Sequence, residues 1–152
     1  GNAAAREDMA LASLFSGIAL ANAKLGAVHG FAAAAGGLCQ APHGLICACL
    51  LPHVTQMNVQ ALKDRNPASP ALKRFDEAAR IMTRRESAQA EDAIAWIHGL
   101  CSHMKVPSLA SIGIDEGQFP AIVAHAQRAS SMRGNPIVLT EDELREILER
   151  AS

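Results

Sequence analysis

The stretch Gly26–Asn58 reads GAVHGFAAAAGGLCQAPHGLICACLLPHVTQMN and contains no Asp, Glu, Lys or Arg. His29 and His43 are each followed by a glycine, and Gly36, Gly37 and Pro42 lie between them. Small and apolar residues punctuated in this way predict two helices joined by a turn. The first covers Leu25 to Ala35 and stops at Gly36-Gly37, which allow a left-handed end. The second runs from His43, just after Pro42, to Leu62. The neutral region is wider still: from Met9 to Leu62 the single charged residue is Lys24. Ser16, Asn22, His29, Gly36, Gly37, Gln40, Pro42 and His43 interrupt it, so no uninterrupted run reaches the roughly 20 apolar residues of a membrane span. The expectation is no membrane, but two or three central helices, apolar all round. Other elements, a partner chain or a missing domain would sheathe them.

Outward from this stretch, the pattern stays helical. Ala4 to Lys24 is rich in Ala and Leu and predicts a first helix. Asn66-Pro67 and Ser69-Pro70 mark a turn. Ser69 then caps a helix from Pro70 to Met82, with the proline at its first position. Ser87 opens a helix over Ala88 to Met104. Val106 to Gly117 reads as irregular, with a short turn at Ser108, and Gln118 to Ser130 as a further helix. Thr140-Glu141-Asp142-Glu143 is a capping box that opens a last helix through Arg150. The 152 residues suit one domain, and 3% aromatics with no Tyr argue against an all-β fold. A net charge of -1 argues against nucleic-acid binding, and 49% hydrophobic residues argue against disorder. The fold expected is therefore all-α, a bundle of about six to eight helices over residues 2–152. Gly1 is set aside as a tag remnant.

Among residues that could carry chemistry, His29 and His43 stand out. They lie where charge is scarce, and the glycine-rich turn lets the chain double back and bring them together. Neutral imidazole is a common metal ligand. A buried histidine is more often a hydrogen-bonded core residue, so spacing leaves both roles open. Cys39, Cys47, Cys49 and Cys101 lack the C-x-x-C spacing of zinc or redox sites and read as buried small hydrophobes of a reducing compartment. Cys47 and Cys49, two apart on a helix, should diverge. His53 reads as structural or surface, His98 and His103 as not sharing a helix face, and His125 as exposed. Arg84 to Glu86 and Glu141 to Glu149 read as solvated faces. No Ser-His-Asp or Cys-His arrangement emerges, and no catalytic or cofactor-binding residue is assigned.

The same stretch, with its G-x-x-H and P-H-G histidines and the following L-P, resembles the C-terminal domain of the iron-containing (group III) alcohol dehydrogenases. Met132 to Pro136 with Leu139 to Asp142, and the leading helix with Gly17 and Ala21 to Ala23, also look like that family. The wording GAVHGFA is similar to the maleylacetate reductase-like branch. The resemblance implies the helical half of a dehydroquinate synthase-like fold. It also implies a divalent metal, iron or zinc, held by one Asp and three His, with His29 and His43 as two of the histidines. The other two ligands, and the phosphate-binding segment for NAD(P), would lie in a nucleotide-binding domain that this chain lacks. Ala33 stands where many members carry another histidine near the nicotinamide.

The resemblance thus implies a fragment or partial gene product of a metal-dependent oxidoreductase, inactive alone and cytoplasmic. The rival readings are a free-standing helical binding module and a subunit that completes an enzyme in trans. The neutral helices predict self-association or docking on the missing domain.

Overall fold

The computed structural model describes residues 1–152 and contains seven α-helices and no strand. They are α1 (Ala3–Asn22), α2 (Ala27–Ala35), α3 (His43–Arg65), α4 (Pro70–Thr83), α5 (Ala90–His103), α6 (Phe119–Arg128) and α7 (Glu141–Ala151). Short 3-10 turns at Ala110–Ile112, Glu116–Gln118 and Ser130–Gly134 link the later helices. The all-α expectation is met, and the segment after α5 is irregular as its composition suggests.

The core is a cluster of 21 buried residues contributed mainly by α2, α3, α6 and α7. Phe31, Ile46, Leu50, Ile122, Leu144 and Ile147 are among its fully buried side chains. Burying each such side chain contributes about 1.5–3 kcal/mol. The α4–α5 hairpin has its own small core of Ala79, Ala88 and Ala93. Helix α3 is long and apolar enough to cross a membrane by length and composition, but 61% of that window is buried within the bundle, as in a core helix.

Local chemistry sets the helix ends. Ser69 Oγ accepts from the Ala71 amide at 3.3 Å, and Pro70 takes the first helical position of α4. Arg84 ends α4 in the left-handed region with φ 56°. Helix α5 starts later than Ser87 suggests. Gln89 and Asp92 form a reciprocal capping box, and Asp76 also accepts from the Ala90 amide at 2.9 Å, so Ser87 stays in the turn. Thr140 and Glu143 form the capping box read from the sequence, closing at 3.2 Å and 2.7 Å. Glu143 also takes a two-pronged bond from Arg65 at 2.8 and 3.0 Å, so this acid is a tie between α3 and α7 and not a freely solvated charge. Pro52 sits inside α3 and has no N–H for the Ala48 carbonyl one turn back. The Cys101 thiol points at that carbonyl at 3.8 Å.

Of the neutral helices, α2 and α3 pack into the core, whereas α1 has no buried residue, so this chain does not supply the cover expected for it. Helix α1 turns through 98° into α2, and Leu11, Leu14, Phe15 and Ile18 form an exposed apolar stripe along it. Contrary to expectation, the cysteines are not all buried. Only Cys49 is; Cys39, Cys47 and Cys101 are half-buried, and all four are free thiols.

Candidate metal centre

Helix α2 carries His29 and the first turn of α3 carries His43. Their rings approach with centroids 5.5 Å apart and planes tilted by 49°. The intervening turn does fold back and bring the two histidines together. Cys47 lies one turn beyond His43 on the same helix. Side chains on a helix lean toward its N-terminus, which carries the Cys47 sulfur back to 3.4 Å from His43 Nε2. One ligand atom from each of His29, His43 and Cys47 falls within 4.8 Å of the others, and no carboxylate joins them. Burial, and then the adjacent His43, holds the His29 imidazole below its ordinary range. Near neutral pH it is thus the uncharged form, with a lone pair to give. Burial pushes the Cys47 thiol up. Cys49 diverges from Cys47 as expected: its sulfur faces the Pro107 carbonyl at 3.1 Å.

The wall behind His29 is built from the chain's far end. Gly26, the cap residue of α2, supplies no side-chain bond to the helix. Instead Asn135 Oδ1 accepts from the Ala27 amide at 3.1 Å. Asn135 pairs with buried Asn58 of α3: its Nδ2 donates to Asn58 Oδ1 at 2.7 Å, and Asn58 Nδ2 donates back at 3.2 Å. Asn135 Nδ2 also donates to the Ile137 carbonyl at 2.8 Å. Gly30 faces the 3-10 turn at Ser130–Gly134. A Cβ there would lie 2.9 Å from Met132 Cε, so the missing side chain seats the 3-10 turn on α2. At Gly44 the added atom would meet open space.

The remaining histidines split. His103 and His125 are exposed. His53 and His98 instead meet edge to face, with centroids 5.3 Å apart, in a cleft of about 320 Å³ shared with Cys101 and Arg150. Neither residue signals this pairing in the sequence, because it depends on how α5 crosses α3. Burial first, then His98 and Arg150, push the His53 imidazole down to about 4. The unfolded chain titrates near 6.5, so between these values it binds more protons than the folded chain. Stability therefore rises with pH from about 4 to about 6.5 and is flat above. His53 is half-exposed, so the effect is discounted to about 1–2 kcal/mol. Urea unfolding of the wild type and His53→Gln across this window checks it. The wild type should lose stability toward pH 4.5 more steeply than the variant, and equal slopes would refute the assignment.

An all-helical domain that brings paired histidines together from two helices presents a donor cluster that could hold a metal ion. Comparison with known proteins then identifies the family. Residues 1–152 match the C-terminal region described as "Fe-containing alcohol dehydrogenase family, C-terminal". The chain belongs to the Fe-containing alcohol dehydrogenase family and corresponds to its C-terminal domain. It is 36% identical to 1,3-propanediol dehydrogenase of Klebsiella pneumoniae over 99% of this chain and 38% of that protein. Alcohol dehydrogenase 4 of Saccharomyces cerevisiae is 33% identical over 97% of this chain and 37% of that protein. The structure of an alcohol dehydrogenase from Oenococcus oeni superposes with a TM-score of 0.76 at 32% identity, covering 90% of this chain and 35% of that one. The chain thus spans under two-fifths of the length of these relatives. None of the three carries a maleylacetate reductase name.

Proposed function

We propose that this chain is the metal-binding helical portion of an NAD(P)-linked, metal-dependent alcohol dehydrogenase, with His29 and His43 as two of the metal's ligands. The observation that carries the reading is the approach of these two imidazoles from separate helices. The donor set suits the metal: both rings belong to a cluster whose donor atoms lie within 4.8 Å of one another. When bound, the ion supplies Lewis-acid polarisation of an alcohol or carbonyl oxygen. The histidines would hold it from the first turns of α2 and α3, and the tail at Asn135 fixes the direction in which α2 presents His29. The names of the relatives support a small alcohol or aldehyde as substrate over maleylacetate. Ala33 offers only a methyl group, so no proton passes through a side chain there.

The nucleotide is the business of a separate nucleotide-binding portion, and hydride transfer requires it. The exposed stripe of α1 supports this reading, because an apolar face of that length normally lies against a partner.

Anaerobic titration of the chain with Fe(II) and Zn(II) tests the proposal. Micromolar or tighter binding is expected, about -8 kcal/mol or better, and His43→Ala should weaken it at least tenfold. Equal binding by both proteins would refute the assignment.

A further inference from the structure

The geometry points to Cys47 as a third metal ligand, so that His29, His43 and Cys47 form a two-nitrogen, one-sulfur site within this chain that prefers zinc to iron. This inference rests on the histidine assignment above and extends it to a residue that the four-ligand Asp-and-His set does not include.

Three observations carry it. The first is distance. Zinc bonds of about 2.0–2.1 Å to nitrogen and 2.3 Å to sulfur place tetrahedral N and S ligands roughly 3.5 Å apart. His43 Nε2 and Cys47 Sγ already stand at 3.4 Å. The second is placement. His43 and Cys47 are four residues apart on α3, so the helix itself sets their separation, and His29 closes the triangle from α2. The third is charge. The positive end of the α3 dipole lies at His43 and disfavours a cation there, a cost that neutral imidazoles do not offset. No carboxylate belongs to the cluster, so the thiolate is the one anionic donor available.

Coordination breaks the Cys47 S–H bond heterolytically. The sulfur lone pair forms the bond to the metal, and the proton leaves to buffer, as thiolate ligation requires. No oxidation state changes. Soft thiolate favours zinc and cobalt over iron. Three protein ligands leave a fourth position open, the pattern of a catalytic rather than a structural site.

Cobalt(II) is the probe, because a sulfur ligand gives it an intense near-ultraviolet charge-transfer band that nitrogen ligands do not. The wild-type chain should show this band. Cys47→Ser and Cys47→Ala should lose it and bind zinc at least about tenfold more weakly, since even outer-shell losses cost about 10–100-fold. Iron(II) affinity should change less. Cys49→Ser, whose sulfur faces Pro107, should keep the band, and circular dichroism should show every variant folded. Cobalt binding without the band, abolished by His43→Ala, would overturn the Cys47 assignment while leaving the histidine site intact. Binding untouched by any of these substitutions, or no binding by the wild type, would overturn both.

Discussion

Gly134→Ala is expected to destabilise the fold by about 3 kcal/mol or more, the upper end of overpacking costs. A Cβ at this position would stand 1.9 Å from the Leu25 carbonyl oxygen and 2.5 Å from Lys24 Cβ. Both obstacles belong to the short link between α1 and α2, and the nearer is backbone, which cannot rotate away. The tail would have to lift off the start of α2. That movement would also draw Asn135 from the Ala27 amide, so the damage should extend to the pairing of His29 with His43. Urea denaturation measures the loss, and Gly99→Ala is the control. Gly99 lies inside α5 with open space around it. Alanine there should raise stability by about 0.5–1 kcal/mol through helix propensity. Equal stability of Gly134→Ala and the wild type would show that the tail is not seated as described.

Asn135→Ala should lower stability by about 2–4 kcal/mol. The substitution removes four hydrogen bonds at once. It strands the Asn58 amide, which is only 5% exposed, with neither its donor nor its acceptor. It also leaves the first amide of α2 uncapped, a loss of about 1 kcal/mol by itself. Replacing both asparagines tests the pairing: Asn58→Leu should cost less in the Asn135→Ala background than alone, because the stranded amide is then gone. Thermal unfolding of the four proteins completes the cycle. Additive losses would mean that the two amides act independently.

The parts of this fold that were legible in the sequence are those fixed within a few residues. Ser69-Pro70 and Thr140 with Glu143 mark helix starts where the structure has them, because a cap is a contact between neighbours. Gly36-Gly37 and Pro42 do bracket the turn between α2 and α3, but Gly36 ends α2 in the right-handed region with φ -62°, and neither glycine takes the left-handed conformation expected of them. The start of α5 shows the limit: Ser87 and Gln89 are both plausible caps, and the choice falls to Asp92 and Asp76, the latter on another helix. At the site, His29 and His43 are legible because their spacing and glycines stand out. Cys47 is not, since a cysteine in an apolar helix reads as core. Its signal was the four-residue step from His43, which matters only once α2 places His29 opposite. The exposure of α1 is illegible for another reason: an apolar stripe shows that something covers a helix, not whether this chain supplies the cover. Asn135 is the furthest out of reach, since it caps a helix 108 residues upstream.

That distance has a consequence for how the protein is made. As the chain leaves the ribosome, α2 and α3 emerge before the segment that braces them, with both histidines in hand. The group that holds the start of α2 arrives only when a further 108 residues beyond Ala27 have been synthesised. Until then the helix bearing His29 lacks its cap, its glycine-fitted neighbour and the α6 and α7 walls of its core. An ion that reached the nascent histidines would find two loosely held imidazoles instead of a fixed pair. On the proposed histidine assignment, a fixed pair of imidazoles forms only after the segment around Asn135 has folded back, and chains truncated before Gly134 should bind Zn(II) more weakly than the chain with that segment.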